Sequence, residues 1–230
     1  MGSERQITVL VTGGYGNLGS WLVRHFLGLG WHVSILAKRP RPLFQGQVEF
    51  IACDVTDAES CRAALAGRAF QYVVHAASAN DFFVPGYPQL ALNANALGTL
   101  NILQALDTAS LQRFLYFSTF HVYGVAEGDV DETTPPAPRN DYALTHLFAE
   151  QYVQMWGRTQ RLPYTIIRLS NSYGCPVDPE STKWYLVLND LAKAAHTQRE
   201  IVLKSNGLGR RDFIWMGDVA QAVAQLLPHP

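Results

Sequence analysis

Residues 12–19 read Thr-Gly-Gly-Tyr-Gly-Asn-Leu-Gly, a cluster whose residue types and spacing suit one kind of chemistry. Two overlapping patterns are present, Gly14-x-Gly16-x-x-Gly19 and Gly13-x-x-Gly16-x-x-Gly19. Glycine lets a backbone turn tightly and approach a pyrophosphate closely, and a helix N-terminus just beyond supplies unpaired N–H groups and a positive dipole end. Gly13, Gly14, Tyr15, Gly16, Asn17, Leu18 and Gly19 are therefore the expected cradle of a dinucleotide. Glycine-rich turns that bind nothing also join strands to helices. The flanking pattern favours the dinucleotide, because a β-branched run precedes the cluster and helically spaced apolar residues follow it. In such sites the end of the second strand selects the cofactor: a carboxylate there binds the ribose 2′-hydroxyl of NAD, and a nearby Arg suits the 2′-phosphate of NADP. This chain has Ala37-Lys38-Arg39 at that point and no carboxylate. That predicts NADP(H) over NAD(H), with a solvated basic turn as the alternative.

The elements that must hold these groups alternate along the chain. Strands are expected at 7–11, 32–36, 48–52, 72–75, 113–117 and 164–169, and helices at 18–29, 58–66, 91–106 and 142–156. Further strands are expected at 200–203 and 212–215, then a helix near 218–227. Near-continuous apolar strands alternating with helices imply a parallel sheet covered on both faces, and right-handed crossovers make it doubly wound, a Rossmann-type α/β fold. The proline-rich stretch 133–138 reads as a surface loop before the helix that begins at Tyr142.

Bulk properties narrow the partners. The 230 residues carry a formal net charge of -1 and no basic stripe, which argues against nucleic acid. No apolar run approaches the ~20 residues that span a bilayer, so a soluble, cytoplasmic protein with no membrane partner is expected. Cys53, Cys61 and Cys175 are scattered, lack metal-ligand spacing and suit a reducing compartment as structural thiols; no metal site is expected.

Further segments, in order, carry a more specific likeness. They are His75-Ala76-Ala77 at the fourth strand's end; Asn95-Ala-Leu-Gly98-Thr-Leu-Asn101; Ser118-Thr119-Phe120-His121-Val122-Tyr123-Gly124; Tyr142 at the head of a helix; Arg168-Leu-Ser-Asn171-Ser-Tyr-Gly174-Cys-Pro176; and Arg211-Asp-Phe213 followed by Gly217-Asp218-Val-Ala. Together they resemble the extended short-chain dehydrogenase/reductase family, the NAD-dependent epimerase/dehydratase type that acts mainly on nucleotide-linked sugars. The resemblance implies hydride transfer with Tyr142 as acid/base and Thr119 as its polar partner, Ser118 standing beside it. It implies cofactor contacts from Asp54 (at the adenine amino group), Val55, His75, Ala76, Ala77, Asn95, Tyr142 and the residue at 146. It also implies substrate contacts from Thr119, Asn171 and Arg211, and a homodimer through the Asn95 and Tyr142 helices, where Leu144, Phe148 and Tyr152 are apolar.

Three departures qualify it. The family helix reads Y-x-x-x-K, and its lysine, one turn on, lowers the tyrosine pKa. Here the sequence is Tyr142-Ala-Leu-Thr-His146. Histidine carries no full charge at pH 7, so three readings stand: a partly protonated His146 replaces the lysine, Tyr142 works weakly or another residue takes over, or the chain is a dinucleotide-binding module with a sensing or scaffold role. Family dehydratases commonly follow the threonine with Asp and Glu, whereas this chain has Phe120 and His121, which favours epimerase or reductase/dehydrogenase chemistry. His121 reads either as a second acid/base or as a packed histidine. Finally, residues 1–170 are expected to form the dinucleotide-binding domain, and 171–230 a small, incomplete substrate-binding portion interleaved with the last sheet elements.

Overall fold

The computed structural model describes residues 6–80, 86–124, 128–203 and 206–229; residues 1–5 of the polar N-terminal stretch lie outside them. Six strands form one parallel sheet: β1 (Thr8–Thr12), β2 (His32–Ala37), β3 (Glu49–Ala52), β4 (Tyr72–His75), β5 (Arg113–Thr119) and β6 (Tyr164–Leu169). Their order is β3-β2-β1-β4-β5-β6, the doubly wound arrangement, whose crevice opens where the order reverses between β1 and β4. Successive side chains of a strand face opposite ways, so the continuous apolar strands feed two cores. On one side Leu10, Leu36, Val73, Phe114 and Tyr116 pack with Ile102 and Val153; on the other Val9, Val11, Val33, Val74 and Leu115 pack with Leu22 and Phe26.

The crossover helices are α1 (Asn17–Gly28), α2 (Ala58–Leu65), α3 (Tyr87–Ala91), α4 (Gly98–Ala105) and α5 (Asp141–Thr159). Asp57 caps α2 by accepting from the N–H groups of Glu59 and Ser60, and Asn140 caps α5 by accepting from Ala143 N–H at 2.8 Å. Asn140 thereby fixes the first turn of α5, where Tyr142 stands. The expected helix 91–106 starts earlier, at Tyr87, and runs through a π-helical stretch, Leu92–Leu97, before α4. Asn95 lies within that stretch, buried and turned onto the backbone of Ala79.

Beyond β6, β7 (Asn171–Tyr173) pairs in parallel with β8 (Phe213–Trp215) as a separate two-stranded sheet. Between them lies α6 (Val187–Gln198), and after them α7 (Met216–Leu226) returns Val219, Ala220 and Val223 to the core around β1. The expected strand at 200–203 is absent. Ile201, Val202 and Leu203 stand exposed beyond the left-handed Arg199 (φ 57°) that ends α6, so their β propensity finds no strand to pair with. Helix α6, rich in good helix formers, went unread in the sequence, and β7 is too short to show a period. No helix among the described residues is long and apolar enough to cross a membrane.

Candidate active site

The site lies along the C-terminal edge of the sheet. The glycine turn follows β1, and two of its glycines are required by contact. Gly13 has φ +70°, and a Cβ there would stand 2.9 Å from the Ala77 backbone; a Cβ on Gly19 would stand 2.2 Å from the Gly13 carbonyl. Helix α1 can therefore press its first turn against the loop. Gly16 sits exposed at the N-cap with no side-chain cap, and no acidic residue occupies the first turn, so the positive end of α1 is open to an anion. Asn17 Oδ1 is buried there with no hydrogen-bond partner among the described residues. An orphaned acceptor beside an uncapped helix end fits a dinucleotide whose hydroxyls donate and whose phosphates accept. Gly14, Tyr15 and Leu18 complete the turn, Gly14 packing under Ile35 and Tyr15 against Phe50.

At the β2 end, Lys38 Nζ pairs with Asp54 Oδ2 at 2.8 Å, while Thr56 donates to Asp54 Oδ1 from its N–H and its hydroxyl. Burial works to raise the Asp54 pKa, but the Lys38 and Thr56 hydrogen bonds hold it below the usual carboxylate value. Lys38 is thus engaged within the protein, and Arg39 is the exposed cation beside it. Val55 is buried, its carbonyl accepting from Asn101 at 2.9 Å.

The β4 end is braced by a chain of hydrogen bonds. A carbonyl only accepts, so Thr99 Oγ–H donates to the Asn95 carbonyl (2.6 Å), and Thr99 Oγ then accepts from His75 Nε2–H (3.0 Å). The other ring nitrogen, Nδ1, accepts from Thr12 Oγ–H (2.7 Å), and Thr12 Oγ accepts from Ala77 N–H (3.2 Å). Burial pushes the His75 pKa down to about 3. With both nitrogens engaged inside the protein, the His75 ring braces the Ala76–Ala77 backbone, the segment expected to lie against the cofactor. Asn95 is similarly occupied: Oδ1 accepts from Ala79 N–H at 2.7 Å, and Nδ2 donates to Thr145 Oγ at 3.0 Å, tying the loop after β4 to α5.

Thr119 ends β5 and Tyr142 begins α5. The Thr119 hydroxyl hydrogen-bonds the Tyr142 phenol, whose pKa burial pushes above its ordinary value and the Thr119 bond partly brings back. Thr119 Oγ also accepts from His121 N–H at 3.3 Å, capping the 3-10 turn Phe120–Tyr123. Ser118 faces the other way. It donates to the buried Glu150 carboxylate at 2.5 Å, where Arg168 also binds at 2.7 Å. Its expected place at the reacting centre is corrected accordingly: adjacent residues of a strand point to opposite faces, and only Thr119 meets the phenol.

His146 is buried, 2% exposed. Its Nδ1–H donates to the Tyr142 carbonyl at 2.7 Å, and its ring lies 4.3 Å from the Tyr142 ring. Burial lowers its pKa to about 4, so the imidazole is uncharged at neutral pH. Burial thus weighs against the reading in which a protonated His146 replaces a lysine cation. The substrate side is more open. Asn171 donates to the Asp212 carbonyl at 3.0 Å, and Arg211 is exposed, close enough to His121 to depress its pKa.

Sequence reasoning missed two groups. Lys183 Nζ donates to Asn80 Oδ1 and Tyr185 OH, each at 2.9 Å, and Tyr185 lies near enough to Tyr142 to raise its pKa; the sequence marks only the aromatic pair Trp184-Tyr185 there, which reads as packing or as a stacking surface, and gives no sign of Lys183. The Glu150–Arg168 pair, with Arg168 also donating to Tyr123 OH at 2.9 Å, had one signal: a carboxylate eight residues after Tyr142, on the same helix face.

The arrangement can hold a dinucleotide along one edge and offer a phenol–hydroxyl pair at its far end. A model of the NAD dependent epimerase/dehydratase family matches residues 9–230. The chain is 29% identical over 255 residues to the dTDP-glucose 4,6-dehydratase of Neisseria gonorrhoeae, covering 99% of this chain and 71% of that protein. Among solved structures, the Thermus thermophilus UDP-glucose 4-epimerase in complex with NAD superposes with a TM-score of 0.80 at 30% identity, covering 97% of this chain and 75% of that one. The Thermotoga maritima UDP-glucose 4-epimerase with UDP-glucose gives a TM-score of 0.84 at 23% identity, a likeness of fold, over 96% of this chain and 74% of that one.

Proposed function

The chain belongs to the NAD-dependent epimerase/dehydratase family, and on that premise we propose that it acts on a nucleotide sugar, or a related hydroxyl or carbonyl substrate, as an epimerase or reductase/dehydrogenase with Tyr142 as acid/base. The observation that carries the reading is the half-buried Tyr142, its phenol hydrogen-bonded by Thr119, at the sheet edge that also bears the glycine turn.

The nicotinamide dinucleotide, when bound, supplies the donor or acceptor of a hydride. Gly13 to Gly19, Asp54, Val55, Ala76, Ala77 and Asn95 would hold it, several through backbone. The protein's part is proton transfer and orientation. A phenol kept neutral by burial is ready to donate to a carbonyl oxygen as that oxygen gains charge, and Thr119 hydrogen-bonds the same oxygen. In the oxidation direction Tyr142 must first lose its proton, and with an uncharged His146 behind it that loss is costly. Asn171 and Arg211 are the proposed substrate contacts, the guanidinium suiting a diphosphate.

The same geometry lends weight to a second reading, a dinucleotide-binding module with impaired catalysis, because an uncharged imidazole occupies position 146 in place of the lysine that would activate Tyr142. Cofactor choice is proposed to lean toward NADP(H) through Arg39 alone, since Lys38 is engaged by Asp54. A homodimer through α5 and the helical run from Tyr87 that carries Asn95 is supported by Leu90, Leu92, Leu144 and Phe148, each more than a third exposed.

The test is to add UDP-glucose or dTDP-glucose to the protein with NAD or NADP and follow absorbance at about 340 nm, where the reduced nicotinamide absorbs. Reduction that disappears in Tyr142→Phe supports the enzyme. Cofactor binding by tryptophan fluorescence, with no reduction and no interconversion of either sugar, supports the module.

A further inference from the structure

Cys53 and Cys61 read as separate structural thiols in the sequence, and the fold brings them together. Cys53 directly follows β3, and Cys61 lies on α2 in the same core as Ile51 and Leu65. Their thiols hydrogen-bond with the sulfurs 3.6 Å apart, and both side chains are buried. Cys175 is exposed and stands apart from the pair. The contact with Cys61 eases loss of the Cys53 proton, against the burial that opposes it, and holds the Cys53 pKa at about 7. The same contact, with burial, pushes the Cys61 pKa up, so Cys61 stays a thiol. A sulfur that ionises readily, touching a protonated partner, is the arrangement of a dithiol that oxidises.

The pair also borders the expected cofactor edge. Cys61 Sγ lies 3.7 Å from the carbonyls of Asp54 and Val55, and Ser60 Oγ accepts from Asp54 N–H at 3.1 Å. The Asp54 carboxylate in turn holds Lys38 at 2.8 Å. A shift of the first turns of α2 is therefore passed to Asp54 and Val55.

We propose that Cys53 and Cys61 form an oxidation site, a dithiol that a peroxide closes to an intramolecular disulfide, and that closing it loosens the hold on the dinucleotide. The second half rests on the cofactor reading above; the first does not. The Cys53 thiolate attacks one peroxide oxygen. The S–O bond forms, the O–O bond breaks, and the released hydroxide takes up the proton that Cys53 lost, leaving water and a sulfenic acid. The Cys61 sulfur then attacks the Cys53 sulfur. The S–S bond forms, the S–O bond breaks, and the departing hydroxide leaves as water with the Cys61 proton. Two thiols lose two electrons and two protons, and one peroxide becomes two waters. Peroxide, close to water in size, enters through local opening of the eight-residue α2. The 3.6 Å contact must shorten to about 2.0 Å, so the turn between the two cysteines, which carries Asp54 and Val55, has to yield.

The full chain carrying Cys175→Ser, which removes the exposed thiol, is treated with hydrogen peroxide, alkylated and digested with trypsin; the peptide that ends at Arg62 holds both cysteines. The expected peptide carries no alkyl group, is about two mass units lighter than its reduced form, and reverts with dithiothreitol. Before digestion, binding of NADH and NADPH, read by tryptophan fluorescence, is expected to weaken about 10-fold and to recover with dithiothreitol. Alkylation of both cysteines after peroxide treatment overturns the proposal. So does a Cys53 sulfinic acid beside an alkylated Cys61, or a cross-linked protein that binds dinucleotide as before. A reduced protein that binds neither dinucleotide yet still forms the cross-link sustains the oxidation site and removes the cofactor reading, so the two failures are distinct.

Discussion

In His146→Lys, the ring that donates Nδ1–H to the Tyr142 carbonyl at 2.7 Å is replaced by an ammonium on a flexible stem. The two rings lie 4.3 Å apart, which puts the new charge roughly 6 Å from the phenol oxygen. At an effective dielectric of about 20, Coulomb's law gives about 3 kcal/mol in favour of the phenolate, or about 2 pKa units. Burial holds the Tyr142 pKa above its ordinary value, so only a small fraction is ionised at neutral pH. Lowering it by about 2 units raises that fraction about 100-fold. The assay is kcat/KM for oxidation of the sugar as a function of pH, with cofactor saturating. The expected result is a rising limb displaced about 2 units toward acid. The ligand-free variant should melt at lower temperature, because the nearest buried carboxylate on that helix face, Glu150, is already committed to Arg168 and Ser118. A folded variant that binds cofactor and keeps the original pH limb would refute the argument that the missing cation limits Tyr142.

Gly19→Ala places a Cβ 2.2 Å from the Gly13 carbonyl, so α1 must move off the loop; dinucleotide binding, read by tryptophan fluorescence, should be lost while the fold survives by circular dichroism. Glu150→Ala leaves the Arg168 guanidinium, 17% exposed, without its carboxylate and should cost about 3–5 kcal/mol in urea unfolding; a loss near zero would mean that Arg168 is rescued by Tyr123. His75 and His146 are held at about 3 and about 4 when folded, well under an unfolded histidine's ~6.5. The unfolded chain therefore binds more protons between these values, so the contribution is intact above about pH 6.5 and is lost as pH falls toward about 3. Unfolding free energy measured from neutral pH down to about pH 4.5 should fall accordingly and less steeply in His146→Gln; a flat profile contradicts the burial argument. Asp54→Asn frees Lys38 and should tighten NADPH relative to NADH, which a paired titration reads directly.

The glycine turn and the six parallel strands were legible because each is set by local spacing: glycines between a strand and a helix, and apolar runs of strand length, act over a few residues. The Thr119–Tyr142 pair came from the family resemblance and from no spacing rule. What depended on neighbours in space was not legible. Lys38 reads as a free cation until β3 brings Asp54 to it. Ser118 and Thr119 are chemically alike, and only the pleat and the buried Glu150 tell them apart. The apolar stretch 200–203 has strand composition, but pairing needs a second strand. The neutrality of His146 follows from the depth of its burial, which its i+4 position does not state.

The His75 chain of hydrogen bonds runs in one sense only, from Ala77 N–H through Thr12, His75 and Thr99 to the Asn95 carbonyl. Reversing any one donor would strand a proton against the Ala77 amide or leave the Asn95 carbonyl empty, so the chain behaves as a polarised strut with one allowed state. It spans β1, β4 and the π-helical stretch, which are the two banks and the floor of the crevice at the strand-order reversal. The width of that crevice is therefore set during folding, before any ligand arrives. A strut with one allowed state leaves little ordering cost for a ligand to meet at these walls.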